Sequence, residues 1–134
     1  MSTGNCLCGA IEYEYTEPPD DCCYCHCSIC RKLTGSAFAA YGTIEKTAFK
    51  WSKGEDRLSI YQPTSSTTRF NCSQCGSLVA SEHSLEPESV FISLGTLNGR
   101  QELKIKYHQF TGSKAPWHRI EDDIPQFNEW PDEF

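Results

Sequence analysis

The sequence predicts an all-β fold built from antiparallel sheets with little helix. Its apolar stretches are short and rich in aromatic and β-branched residues, which strands favour. Residues 11–15 alternate apolar and acidic side chains, as a half-buried strand does. Turn-forming residues separate the stretches, for example at 53–56, 63–68 and 98–99. At 134 residues the chain is long enough for one domain, which we expect to span 1–134.

Only one short segment indicates a helix. Ser28 is predicted to cap a turn that runs from Ile29 to Leu33 and stops at Gly35. The segment 116–134 scatters aromatic residues among acids and prolines, and we expect it to form an irregular C-terminal cover over the sheet. The predicted strands are 11–15, 37–41, 48–51, 58–61, 77–80, 90–94 and 103–107.

Charge and composition exclude several classes of partner. The chain has 12 basic and 18 acidic residues and a net charge of −6, so it is poorly suited to bind a phosphate backbone. No stretch approaches the roughly 20 apolar residues of a membrane span, and the N-terminus resembles no export signal. We therefore expect a cytoplasmic protein without a nucleic-acid or membrane partner.

The cysteines are the most informative residues. Seven of the nine fall into three tight clusters, with the spacings CxC, CxCxxC and CxxC. In a reducing compartment, and with an odd total, such cysteines are better metal ligands than disulfide partners. The sequence therefore predicts metal-thiolate sites, with zinc as the expected ion.

The first predicted site combines the CxC and CxxC pairs. Cys72 and Cys75 precede Gly76, an arrangement typical of a zinc knuckle. Alternation along an extended chain places Cys6 and Cys8 on the same side, where they can supply two further ligands. Four thiolates would close the site and make it structural. A redox-active CxxC and buried free thiols are the alternatives.

The second predicted site has three close ligands. Cys25, Cys27 and Cys30 lie within six residues and can reach one ion, which leaves a coordination position for water or substrate. This is where we expect catalysis. The alternative is that Cys22 or Cys23 supplies a fourth sulfur and closes the site.

Polar residues next to the second cluster allow two interpretations each. His26 lies between two ligands, so its side chain is expected to point away from the metal, although a role as ligand or acid–base group stays open. Arg31 and Lys32 either offset the negative metal-thiolate centre or bind an anionic substrate. Weaker candidates are Lys114, His118 and Arg119.

Four motifs together resemble one known family. They are Cys6-Leu7-Cys8-Gly9, the segment 25–32 with Gly35, the segment 70–76, and Ser113-Lys114-Ala115-Pro116-Trp117. In this order they are similar to the glutathione-dependent formaldehyde-activating enzymes, which are grouped with centromere protein V. The Cys22-Cys23 doublet departs from the family pattern.

The resemblance implies a fold, two metals and a reaction. The fold would consist of several coiled antiparallel sheets stapled by zinc, similar to zinc-binding Rab-chaperone-like proteins. A structural zinc would bind Cys6, Cys8, Cys72 and Cys75, and an active-site zinc would bind Cys25, Cys27 and Cys30. The family's reaction joins glutathione and formaldehyde into S-hydroxymethylglutathione, which is carbon–sulfur lyase chemistry run in reverse.

These observations lead to one favoured function and two rivals. The favoured hypothesis is an enzyme acting on adducts of glutathione or a related thiol with a small aldehyde, with Arg31 or Lys32 holding the peptide's carboxylates. The first rival is a non-catalytic zinc module that carries glutathione or docks a protein. The second, hydrolysis by zinc-bound hydroxide, lacks an obvious carboxylate base beside the cluster.

Overall fold

The computed structural model describes residues 2–131, and within this range it is mostly β-structure. One α-helix, α1 (Ser28–Thr34), accompanies ten strands. This confirms the predicted all-β class. The strands are β1 (Ser2–Asn5), β2 (Glu12–Tyr15), β3 (Asp20–Cys25), β4 (Ala39–Glu45), β5 (Phe49–Lys53), β6 (Leu58–Tyr61), β7 (Thr67–Cys72), β8 (Leu78–His83), β9 (Ser89–Ser93) and β10 (Tyr107–Gln109).

The strands form two sheets. The smaller sheet has the order β1-β2-β5 and is antiparallel throughout. The larger sheet has seven strands in the order β10-β3-β4-β9-β8-β7-β6. All its neighbours are antiparallel except β10 and β3, which run parallel. The larger sheet is therefore mixed, because of the parallel pair at one edge. The sequence had predicted antiparallel sheets only.

The main core lies around the smaller sheet. In β2, Tyr13 and Tyr15 are buried while Glu12 and Glu14 are half-buried, as the alternating sequence predicts. These tyrosines share an apolar cluster with residues of both sheets, among them Val79 and Ile92. A second, smaller cluster surrounds Cys25 and Cys30. Each group of clustered cysteines therefore belongs to a different part of the core.

The helix differs from the prediction at its start. Its N-cap is Cys27 rather than Ser28, because the Cys27 Sγ accepts a hydrogen bond from the backbone N–H of Cys30 at 3.3 Å. A cysteine sulfur thus takes the place that a serine hydroxyl usually fills. Gly35 ends the helix in the left-handed conformation, as predicted.

The predicted strand 103–107 is wrong for most of its length. Residues 101–106 are irregular, and regular pairing begins only at Tyr107. Residues 103–107 alternate in hydropathy, but β10 pairs with β3 only from Tyr107 onwards. Among the strands, β1, β3 and β7 lie outside the predicted ranges. The polar sequence of β1 and the cysteine-rich sequence of β3 carry little strand signal.

The segment after β10 is irregular and is tied to the edge of the larger sheet. Backbone hydrogen bonds join His108 N to Pro125 O and Phe127 N to His108 O, at 2.8 and 2.9 Å. Phe110 N also donates to Glu129 O at 2.9 Å. Of the predicted cover 116–134, residues 132–134 lie outside the described range. Within residues 2–131, no helix is both long and apolar enough to cross a membrane.

Candidate metal centres

The first group of cysteines joins the two sheets. Cys6 and Cys8 lie on the loop between β1 and β2, Cys72 ends β7, and Cys75 lies on the turn before β8. The four sulfurs lie within 4.8 Å of one another, with Cys8 Sγ at 3.7 Å from the sulfurs of both Cys6 and Cys72. Residues far apart in the sequence thus form one compact set of four soft ligands.

Backbone N–H groups surround the sulfurs of this first group. Ile11 N donates to Cys6 Sγ at 3.3 Å, and Gln74 N and Cys75 N donate to Cys72 Sγ at 3.4 and 3.5 Å. Gly76 has a φ of +80°, the left-handed conformation predicted for a knuckle glycine. Such donors stabilise thiolates, so the loops are built for ionised cysteines.

The second group lies where β3 passes into α1. Cys25 is the last residue of β3, Cys27 caps α1, and Cys30 lies in its first turn. Their sulfurs again lie within 4.8 Å of one another, and Cys25 and Cys30 are buried while Cys27 is partly exposed. The end of β3 and the start of α1 therefore place the three sulfurs so that they face one common position.

The closeness of the three sulfurs indicates that the second group suits a cation. The neighbouring Cys25 and Cys30 lower the pKa of Cys27, whereas Cys27 and Cys30 raise the pKa of Cys25. Three adjacent sulfurs cannot all ionise unless a positive charge compensates them. Thiolate donors select zinc and other soft ions, so both groups fit the predicted metal.

No further His, Cys, Asp or Glu of residues 2–131 joins the second group within that distance. Cys22 and Cys23, the predicted alternatives for a fourth ligand, are both buried on β3. Alternation places them on opposite faces of the strand. Cys22 Sγ lies 3.8 Å from Pro19 O, while Cys23 is on the same face as Cys25. Neither sulfur belongs to the three-cysteine group.

A cavity of about 450 Å³ opens above the second group. This volume is in the range of small-molecule sites, which is roughly 300–1,000 Å³. Cys25, Cys27 and Cys30 all line it, whereas the four cysteines of the first group do not. Its lining includes several aromatic side chains, among them Tyr107 and Phe110. The three-sulfur group therefore faces a space that a ligand can enter.

Arg69 is a buried residue of the site that the sequence analysis missed. It is only 7% exposed, lines the cavity, and donates from Nη2 to Cys30 Sγ at 3.6 Å. From Nη1 it donates to Tyr41 Oη at 2.7 Å and to Ser81 Oγ at 2.8 Å. Because Arg69 occupies the oxygen of Tyr41, the tyrosine's own proton can point to Cys30 Sγ at 3.4 Å.

The cations that the sequence singled out lie elsewhere. Arg31 Nε donates to Ser113 O at 3.2 Å, and Lys32 is exposed on the helix. Neither is among the residues that line the cavity within the described range 2–131. A single arginine in the polar strand β7 gave no sequence signal, so Arg69 became visible only once β7 was placed beside β8.

His26 belongs to a buried chain of hydrogen bonds behind the cluster. Its Nε2 lies 2.8 Å from His108 Nδ1, and His108 Nε2 lies 3.1 Å from both carboxylate oxygens of Asp122. Because the carboxylate must accept, His108 carries its proton on Nε2 and His26 carries its proton on Nε2 as well. This chain leaves His26 Nδ1 buried and without a partner among residues 2–131.

Burial lowers the pKa of His26 to about 4, with the neighbouring His108 as a further cause. The histidine therefore is neutral at pH 7. Lys114 and His118, two weaker candidates from the sequence, also lie on this side, and His118 stacks on His26 with ring centroids 5.9 Å apart. His26 thus points away from the three sulfurs, as its position between two ligands predicted.

The fold and site define a class: a small β domain with one group of four cysteines and one group of three cysteines at a cavity, each of which could hold a metal ion. The chain belongs to the glutathione-dependent formaldehyde-activating enzyme (GFA) family, whose model matches residues 1–113. This match confirms the resemblance read from the four motifs.

Two individual proteins are similar to the chain. A Halomonas elongata protein, provisionally named as a glutathione-dependent formaldehyde-activating enzyme, is 35% identical over 80 residues, which is 55% of this chain and 51% of that protein. The chain thus aligns with about half the length of this relative. A crystal structure of a Rhodobacter sphaeroides protein superposes with a TM-score of 0.64 at 25% identity, over 74% of this chain and 90% of that one.

Replacement of Arg69 by methionine is expected to lower the free energy of unfolding by about 2–3 kcal/mol, because buried acceptors on Tyr41, Ser81 and Cys30 lose their donor. Urea unfolding at pH 7 measures this. Arg57→Met, which removes the same charge from an exposed position, should change stability by no more than about 0.5 kcal/mol. Equal losses in the two variants would contradict the structural role of Arg69.

Replacement of Asp122 by asparagine is expected to lower the melting temperature at pH 7. Partial desolvation raises the pKa of Asp122, but hydrogen bonds from His108 and from the backbone of Ile124 outweigh it, so the pKa lies below the ordinary value. A lowered carboxyl pKa adds stability that is present above the unfolded pKa of about 3.9 and is lost as the pH falls through the folded value.

The difference between wild type and Asp122→Asn should therefore shrink below about pH 4, as thermal unfolding across pH would show. The adjacent Asp123→Asn removes the same charge from an exposed side chain and serves as the control. A difference that stays constant down to pH 2 would refute the assigned chain from Asp122 to His26.

Proposed function

We propose that the protein is a zinc-dependent enzyme of carbon–sulfur lyase type. It acts on adducts of glutathione or a related thiol with a small aldehyde, in the manner of an S-hydroxymethylglutathione synthase. The observation that carries this proposal is the convergence of Cys25, Cys27 and Cys30 at a cavity of about 450 Å³ with three sulfurs rather than four. Family membership supports the same activity.

We assign each cysteine group a metal and a role. Cys6, Cys8, Cys72 and Cys75 would hold a structural zinc, since four thiolates leave no position for substrate. Cys25, Cys27 and Cys30 would hold the active-site zinc, making two zinc ions per chain. When bound, that second zinc would supply an open position where a substrate thiol loses its proton. One domain over 1–134 would carry both ions.

The remaining chemistry falls to the residues around the three sulfurs. Arg69 fixes Cys30 and Tyr41, and its positive charge offsets the charge of the nearby thiolates. Burial raises the pKa of Tyr41 well above its usual range, so its hydroxyl stays protonated and can donate to Cys30 Sγ at the cavity. Aromatic side chains of the lining, such as Tyr107 and Phe110, would displace water from part of the space where thiol and aldehyde meet.

Arg31 and Lys32 remain candidates for binding anionic groups of the substrate. Their place outside the cavity lining suits contact with a part of the substrate that projects from the cavity, rather than with its thiol. The expected setting is the cytoplasm, where glutathione is abundant and thiols stay reduced. No nucleic acid or membrane partner is proposed, in keeping with the net charge of −6.

A carrier of thiols is the second candidate function. Three thiolates make a metal electron-rich and a weak Lewis acid, and no carboxylate or imidazole of residues 2–131 joins the group as a neighbouring base. A protein of this kind would bind glutathione or dock a protein partner without turnover. Comparison of thiol binding with the rate of adduct formation separates the carrier from the enzyme.

Native mass spectrometry of the full chain is expected to show two zinc ions and a glutathione adduct. Cys27→Ser should abolish the adduct and the thiol-dependent activity, while the far-UV spectrum and the first zinc are kept, because Cys27 belongs only to the second group. Cys72→Ser should instead lose the structural zinc and unfold the domain near residues 6–15.

Cys22→Ser is the matched control, since Cys22 lies on the same strand but outside both groups. It should keep two zinc ions and the adduct. The proposal fails if Cys27→Ser forms the adduct as well as wild type does, or if the three-sulfur group takes up no metal.

A further inference from the structure

The charges that line the cavity are mostly negative. The carboxylates of Asp21, Glu82 and Glu86 line it together with the three clustered cysteines. Lys46 contacts Glu82 at 3.2 Å and offsets that charge, which leaves Asp21 and Glu86. Among lining residues in the described part of the chain, Arg69 is the only lysine or arginine.

Arg69 uses three of its five N–H groups within the protein. Both bonds from Nη1 go to hydroxyl oxygens, of Tyr41 and Ser81, and Nη2 donates to Cys30 Sγ. Its Nε is fully buried, and the whole residue is only 7% exposed. A substrate carboxylate therefore has little access to the remaining N–H groups. Arg69 is better placed to hold Cys30 and Tyr41 than to bind an incoming anion.

The rest of the lining offers apolar contact. Tyr107, Phe110 and Trp130 line one side, and the rings of Phe110 and Trp130 pack edge to face with centroids 4.8 Å apart. Ile29 and Phe91 add further apolar surface. Such walls suit an uncharged organic group, or a cation held over aromatic faces.

We propose that the cavity selects thiols whose groups near the sulfur are uncharged or cationic with an apolar body, in preference to the dicarboxylate glutathione. This inference rests on the proposed function and narrows its substrate class. Glutathione carries two carboxylates and one ammonium group, and each carboxylate placed in the cavity would meet Asp21 and Glu86 without an accessible lysine or arginine of the described lining to pair with. An aminothiol, or a thiol whose carboxylates are esterified, meets no such repulsion.

The reaction for such a thiol balances without any added oxidant or reductant. The sulfur forms a bond to the aldehyde carbon, the carbonyl π-bond breaks, and the thiol proton ends on the former carbonyl oxygen as a hydroxyl group. In reverse, the carbon–sulfur bond breaks and the hydroxyl proton returns to the sulfur. The proposed selectivity concerns the groups attached to the thiol and leaves these steps unchanged.

The test compares glutathione with glutathione diethyl ester, which lacks both carboxylate charges and carries two ethyl groups in their place. The salt dependence and the charge variants below separate the effect of charge from that of the ethyl groups. Calorimetric titration of the full-length, zinc-loaded protein at pH 7 and low salt should show at least tenfold tighter binding of the diester. Raising the salt concentration should reduce this ratio, because screening weakens interactions between partly exposed charges.

A pair of variants separates the cavity's own charge from the charge of the whole protein. Glu86→Gln should reduce the preference for the diester at least threefold, since Glu86 lines the cavity. Glu102→Gln removes the same charge from an exposed site away from the cavity and should leave the preference unchanged. Circular dichroism of both variants checks that the fold is kept.

The outcomes distinguish this inference from the proposed function. If glutathione binds as tightly as the diester, and binding of both depends on Cys27, the inference is overturned while the proposed function stands. If Glu86→Gln and Glu102→Gln reduce the preference equally, the cavity charge is not its cause and the inference also fails. If neither thiol binds the zinc-loaded protein, both the inference and the proposed function fail.

Discussion

The convergence of seven cysteine sulfurs in two compact groups is the constraint on which the rest of the structure depends. Sulfurs at such short distances would repel one another if all were ionised, and a cation bound at each group would remove this repulsion. The first group also joins the loop before β2 to the turn after β7, and Cys6 and Cys72 belong to the main apolar cluster. A metal at this point would hold the smaller sheet against the larger one.

The two groups differ in ways that suit different roles. The first has four sulfurs, several backbone donors and no place at the cavity. The second has three sulfurs at the cavity, with Arg69 and Tyr41 beside Cys30. Behind it, the chain of His26, His108 and Asp122 holds the segment between the ligands from the opposite face. The open side of the second group is therefore the side that faces the cavity, while its back is fixed by packing and hydrogen bonds.

The spacing of residues along the chain made part of the cysteine grouping and of the strand arrangement predictable. The intervals within CxC, CxCxxC and CxxC determine which sulfurs can meet, and glycines such as Gly76 and Gly35 mark the turns that aim them. Strands with alternating or β-branched sequences, such as β2 and β9, were predicted close to their actual positions. The grouping of Cys6 and Cys8 with Cys72 and Cys75 followed from spacing and strand alternation, and the family resemblance implied the same set. The structure brings these four residues together.

Pairing between strands that are distant in the sequence determined most of the site contacts that the sequence did not reveal. Arg69 meets Cys30 because β7, β8, β9 and β4 lie side by side in one sheet, an order that no local pattern encodes. His108 reaches His26 through the parallel pairing of β10 with β3. The sulfur of Cys27 replaced Ser28 as the helix cap because its geometry also serves the cluster. Arg69 and His108 act through partners that are distant in the sequence. Cys27 has a role, helix capping, that cysteine seldom has.

X-ray absorption spectroscopy at the zinc edge tests the central claim most directly. Seven cysteine sulfurs shared by two ions predict an average of 3.5 sulfurs per zinc at about 2.3 Å, together with a light-atom ligand, in the absence of a thiol substrate. Addition of a binding thiol should raise the average towards four sulfurs and remove the light-atom contribution. An average of four sulfurs before any thiol is added would contradict the account, because both sites would then be closed by the protein.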